Sequence, residues 1–265
     1  MSLHRDAVVV DGVIVASFGR EVFQAMKDGG LTAANCTCSI WEDFPTTMKA
    51  VARWKGWFQE HGDLITPVHT TADIDRAKRE SKVGIILGWQ NSTGFGDHLP
   101  FVRLYKELGL GIVQLTYNTA NTVGCGCFES SDGGLTDFGR ELVHEMNRVG
   151  ILVDLSHVGA KTADDAIRWS TKPVAYSHCL PSALKAHPRN KTDEQLRFIA
   201  EKGGFVGVTL FAPFLKNGPR STLHDVIEAV EHVLNLCGEA QVGISTDFNQ
   251  GHGNDFFEYA SRDKG

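Results

Sequence analysis

The sequence predicts an α/β protein built as a (β/α)8 barrel, a single domain over residues 1–265. Short runs rich in Val, Ile, Leu and Ala recur eight times, nearly continuous rather than alternating, as strands read when both faces are covered. Longer amphipathic stretches separate them, the pattern of a parallel sheet with crossover helices. No Gly-x-Gly-x-x-Gly turn follows any run, so the signature of an open dinucleotide-binding sheet is missing.

The runs are Ala7–Val15, Leu31–Ile40, Val83–Gln90, Gly111–Tyr117, Ile151–His157, Pro173–His178, Gly204–Phe211 and Gln241–Asp247. Among the helical stretches Thr136–Val149 is the clearest: Leu135, Phe138, Leu142 and Met146 share one stripe, and Gly150 stops it. Thr162–Trp169, Thr192–Lys202 and Thr222–Cys237 each open near a Ser or Thr followed by acids, which is N-cap chemistry. The tail after Asp247 is rich in Gly, Asp and His and shows no evident closing helix. A C-terminally incomplete barrel is therefore expected, its last helix missing, with a bare outer face beside the first and last strands through which a homodimer could form.

Composition narrows the function. The 26 Lys and Arg against 32 Asp and Glu give a net charge of −6, and no basic face is present to track a phosphate backbone, so nucleic acid is not an expected partner. The apolar runs are far shorter than the roughly 20 residues of a membrane helix. With no secretory pattern at the N-terminus and six cysteines too sparse for a disulfide framework, a cytoplasmic location with reduced thiols is expected.

In a barrel of this kind chemistry sits where the strands end. The fifth and sixth runs both end in Ser-His, at Ser156-His157 and Ser177-His178, and the eighth ends on Asp247. Two imidazoles and a carboxylate at one rim are donors of the type a divalent cation such as Zn²⁺ takes, and such an ion activates water and polarises a carbonyl. Asp154, within the fifth run, is placed either to orient a histidine from behind or to cap a nearby backbone turn. Arg189, after Pro188 in a loop, is placed either to clamp a carboxylate or to pair with Asp193 or Glu194 at the surface.

Gly134-Leu135-Thr136-Asp137-Phe138-Gly139-Arg140, Met146-Asn147-Arg148-Val149-Gly150-Ile151-Leu152-Val153-Asp154-Leu155-Ser156-His157, Tyr176-Ser177-His178 with His187-Pro188-Arg189-Asn190, and Gly243-Ile244-Ser245-Thr246-Asp247-Phe248 together resemble the membrane (renal) dipeptidase family. The resemblance covers most of the chain. It implies an amidohydrolase-type barrel that cleaves dipeptides with two zinc ions bridged by a glutamate. It makes His157 and His178 ligands of one zinc, Asp247 the acid–base carboxylate and Arg189 the clamp on the substrate carboxylate. Four positions depart from it. Asp11-Gly12-Val13-Ile14-Val15 stands where the family reads Asp-Gly-His-x-Asp, so two ligands of the other zinc are valines. Gln90 takes the place of the bridging glutamate, and Leu115-Thr116-Tyr117 that of Leu-Thr-His. The losses fall on one side of the site. A hydrolase of dipeptides or small amides with one zinc is expected, Tyr117 donating to the oxyanion and Gln90 contacting substrate. The alternative is a catalytically silent homologue that binds a small molecule.

Overall fold

The computed structural model describes residues 2–261. In chain order it runs α1 (Ser2–Asp6), β1 (Val10–Ile14), α2 (Arg20–Asp28), β2 (Ala33–Ser39), α3 (Phe44–Glu60), β3 (Ile65–Pro67), α4 (Thr71–Arg79) and β4 (Val83–Trp89). It continues through α5 (Pro100–Glu107), β5 (Leu110–Gln114), α6 (Asp137–Val149), β6 (Leu152–Asp154), α7 (Ala160–Trp169), β7 (Ala175–Cys179), α8 (Asp193–Glu201), β8 (Phe205–Thr209), α9 (Leu223–Cys237), β9 (Val242–Ser245) and α10 (Asn254–Ser261). The strands pair in parallel in the order β1-β2-β4-β5-β6-β7-β8-β9, each overlapping one of the apolar runs, and β3 adds to β4 off this path. Strand β3 escapes the sequence pattern because it is only three residues long and ends on Pro67, which has no N–H for a ladder.

Helix α6 shows why the amphipathic stretches fold as they do. The Thr136 hydroxyl accepts the Gly139 N–H at 2.9 Å, Gly150 leaves the helix with φ 78°, and Leu142 and Met146 are fully buried between. Such stripes close the largest apolar cluster, which joins Trp89, Tyr105, Leu142, Met146, Ile199 and Val233. A second cluster packs Phe23 and Trp54 onto Ile85.

The barrel is nearly closed, and its seam is incomplete. Strands β1 and β9 meet mainly at their C-terminal ends, where Asp247 N donates to Val13 O at 3.0 Å and Val15 N to Phe248 O at 2.8 Å. Beside these, the buried Asp11 carboxyl accepts the Thr246 N–H at 2.9 Å and the Thr246 hydroxyl at 2.6 Å. Removing that acceptor strands these two donors and the Val13 N–H, which also reaches it at 3.2 Å, so Asp11→Ala is expected to lower stability by about 2–3 kcal/mol in urea unfolding. A loss under about 0.5 kcal/mol would place the closure elsewhere.

The tail departs from expectation, since it forms α10. This helix lies over the mouth: Phe256 and Tyr259 pack on Val13, Val15, Ile40 and Tyr117. The outer side of the seam stays bare, with Val10 41% and Ile244 53% exposed. Among the described residues no helix is long and apolar enough to cross a membrane, and all six cysteines are free thiols.

Candidate active site

The repeated Ser-His unit converges on a single buried carboxylate. Strand β6 ends at Asp154, whose oxygens accept from Ser156 N (3.1 Å), Ser156 Oγ (2.7 Å), Ser177 N (2.9 Å) and Ser177 Oγ (2.6 Å). Ser156 Oγ in turn accepts the His178 N–H at 3.0 Å, so the two strand ends are cross-tied. Asp154 thus caps the backbone at both strand ends and reaches His178 only through Ser177.

That network fixes the tautomers. The single hydroxyl hydrogen of Ser177 goes to Asp154, so His178 Nδ1, 2.7 Å from Ser177 Oγ, must donate. His157 Nδ1 lies 2.7 Å from Asn118 Oδ1, an acceptor, and must donate as well. Burial, reinforced by the Arg189 charge, holds both imidazoles well below the usual histidine pKa, so both are neutral. A neutral ring has one N–H. Both Nε2 atoms therefore carry lone pairs, and they face each other at 2.9 Å.

Other side chains frame this pair. Tyr117 stacks on His157 with ring centroids 4.0 Å apart, and burial keeps its phenol protonated far above the ordinary tyrosine range. Asn118 follows with φ 63°, a left-handed conformation that Asn tolerates, and Gly126 allows the next loop to close on it: a Cβ there would stand 2.1 Å from the Asn118 carbonyl carbon. Arg189 is buried, donates to the carbonyl oxygens of Ser156 and His178, and sits 5.6 Å from the Phe214 ring. It forms no ion pair among the described residues; Asp193 pairs instead with His232 at 2.9 Å. Gln90, at the end of β4, donates to Thr37 Oγ1 at 2.9 Å. Asp247 is half-buried, and burial raises its carboxyl to about 6; Arg189 opposes the shift and the Asp11 and Asp154 charges add to it.

Gln90, Tyr117, His157, Arg189 and Asp247 line one cavity of about 290 Å³ at the barrel mouth, and His178 stands behind His157. The sequence reading missed Asn118 and the aromatic wall from α10; Asn118 directly follows the run that ends at Tyr117, with no periodic signal of its own. Val13, Val15, Ile40 and Tyr117 form a small apolar cluster whose Val15, Ile40 and Tyr117 line the same cavity.

The donors can be weighed against a metal. Each outer imidazole nitrogen is anchored on an oxygen, the arrangement that orients metal-ligating histidines, and two facing lone pairs at 2.9 Å repel unless an electron-poor centre is shared. The pair thus fits two nitrogen donors of one cation. Among the described residues no group of three or more His, Cys, Asp or Glu is disposed to hold a metal ion, so Asp247 does not complete a trio, and Val13 and Val15 offer no donors for a second ion.

Residues 19–260 match the family described as membrane dipeptidase (Peptidase family M19). The crystal structure of an amidohydrolase from Pseudomonas aeruginosa is 57% identical with a TM-score of 0.97, covering 100% of this chain and 81% of that one. A metallo peptidase from Rhodobacter sphaeroides, solved with a phosphinate mimic of the dipeptide L-Ala-D-Ala, shares the fold at 22% identity and a TM-score of 0.83, over 91% of this chain and 86% of that one. An uncharacterized dipeptidase of Schizosaccharomyces pombe is 32% identical over 178 residues, 65% of this chain and 43% of that protein, so the chain spans less than half of that relative's length.

Proposed function

This chain belongs to the membrane dipeptidase family, Peptidase family M19, and on that basis we propose that it hydrolyses a dipeptide or other small amide in the mouth cavity, with one zinc ion held by His157 and His178. The observation that carries the reading is the pair of Nε2 atoms facing each other at 2.9 Å, each ring held from behind by an oxygen. Zinc bound there would supply Lewis-acid polarisation of the scissile carbonyl and would acidify water. The chain's own residues do the rest. Asp247, as carboxylate, takes a proton from the attacking water and passes it to the leaving nitrogen. Tyr117, held as a phenol, donates a hydrogen bond to the oxygen that becomes negative. Arg189 sets a positive charge at one end of the cavity for the substrate carboxylate, and the Gln90 amide offers neutral hydrogen bonding.

With its carboxyl held at about 6, Asp247 is a base above that pH and is protonated below it. Turnover is therefore expected to fall as pH drops through about 6, and a rate flat from pH 5 to 8 would remove Asp247 from the proton transfer.

Protein purified without chelator and assayed on dipeptides of both configurations tests the whole reading. One zinc per chain, lost together with turnover in His157→Ala or His178→Ala, is the expected result. Metal-free protein that turns over nothing in the panel rejects it. That outcome favours a silent, ligand-binding homologue, for which Val13, Val15 and Gln90 in place of the family's His, Asp and Glu donors are the specific observation.

A further inference from the structure

The cavity is chemically divided. Arg189, Asn118 and Asp247 bring polar groups to the lining; Val15, Ile40 and Phe256 form one apolar wall, which adjoins Asp247 at the seam, and Phe211 and Phe214 form a second beside Arg189. The first wall is well packed: Val13 is fully buried, Val15 is 8% and Ile40 4% exposed, and Phe256 and Tyr259 of α10 close over them. A free α-ammonium brought against the apolar wall of this cavity needs a carboxylate or several acceptors, because a charge taken from water without partners is strongly disfavoured. Among the described residues that line this cavity the sole acid is Asp247, which the proposed reaction already uses for its proton transfer. Arg189, buried in the same cavity with no carboxylate paired to it, repels a second cation and attracts an anion.

From this division we infer that the substrate is an N-acyl amino acid with a short apolar acyl group, rather than a dipeptide with a free amino terminus: the carboxylate lies toward Arg189 and the acyl chain against Val15, Ile40 and Phe256. The inference rests on the hydrolytic reading of the same cavity and narrows its substrate. The reaction balances with water alone. The water oxygen bonds to the acyl carbon, the C–N bond breaks, and the proton taken by Asp247 moves to the nitrogen, giving a short carboxylic acid and a free amino acid. The product amine gains a proton from solvent and leaves a cavity that has no second acid to hold it.

Calorimetric binding to the intact, zinc-supplemented protein compares N-butyryl-alanine with alanyl-alanine, alongside turnover of both. The acyl compound is expected to bind roughly tenfold or more tightly. Val15→Asp places a carboxylate on the apolar flank and is expected to reverse the order. Val15→Thr, close to isosteric and less disruptive to folding, is expected to narrow it. Equal or tighter binding of alanyl-alanine overturns the inference and leaves hydrolysis of small amides standing. Tight binding of N-butyryl-alanine without turnover supports the ligand class while rejecting hydrolysis. Binding of neither compound at millimolar concentration overturns both.

Discussion

Asp247→Asn is expected to reduce turnover of an amide substrate by a factor of roughly 10²–10⁴ while leaving the protein at least as stable as the parent at pH 8. The loss follows from the proton: an amide cannot accept one from water at neutral pH, and the pair Val13 and Val15 beside it offers no replacement base. The stability side follows from linkage. Burial raises the folded pKa of Asp247 to about 6, above the ordinary aspartate value of 3.8, so the fold prefers the protonated form. The stability that this group contributes is fully present below about pH 4 and is lost as pH rises through about 6. Asn resembles the protonated state at every pH and does not incur that loss. Parent and variant stabilities should therefore converge in acid and separate in the variant's favour at pH 8. A variant that keeps turnover, or one that loses stability across the whole range, contradicts the assignment of Asp247 as an acid–base group held in a desolvated site.

The second large effect concerns Asp154. Asp154→Ala removes the shared acceptor of Ser156 N, Ser156 Oγ, Ser177 N and Ser177 Oγ, all in the buried interior. Stranded backbone and hydroxyl donors cost far more than the net worth of the bonds they made, so a loss of about 3–5 kcal/mol is expected in denaturant unfolding. Asp154→Asn keeps one acceptor oxygen and should lose less. The chemistry should suffer in both, because Ser177, freed from Asp154, is able to turn its hydroxyl hydrogen toward His178 Nδ1 and change which nitrogen of that ring carries the proton. A loss under 1 kcal/mol in Asp154→Ala would show that water replaces the carboxylate and that the two strand ends are tied by other contacts.

The strand runs were readable because a strand covered on both faces is apolar throughout, and each of the eight carries one strand of the barrel path. Strand β3 was hidden by its length and by Pro67. Helix α10 was hidden by the Gly-His-Gly composition before it and by the missing outward amphipathic logic: its aromatic residues face the mouth rather than a barrel wall. In the site, both Ser-His units and Asp247 were legible from their place at strand ends. Asn118 was not, since a lone Asn after a strand carries no periodic signal, and its role depends on a left-handed backbone and on a histidine 39 positions away.

The sequence by itself determined the class of fold, the family and the loss of metal-ligating donors at Val13, Val15 and Gln90, because these depend on local pattern and residue chemistry. Only the tertiary structure decided that Arg189 is bound to the carbonyls of Ser156 and His178 rather than to surface acids, that the two imidazoles meet through their Nε2 atoms, and that α10 seals the apolar flank. A tautomer, a buried guanidinium and a closed wall each depend on which groups distant segments bring within hydrogen-bond or packing distance. Residue identity along the chain does not contain that distance.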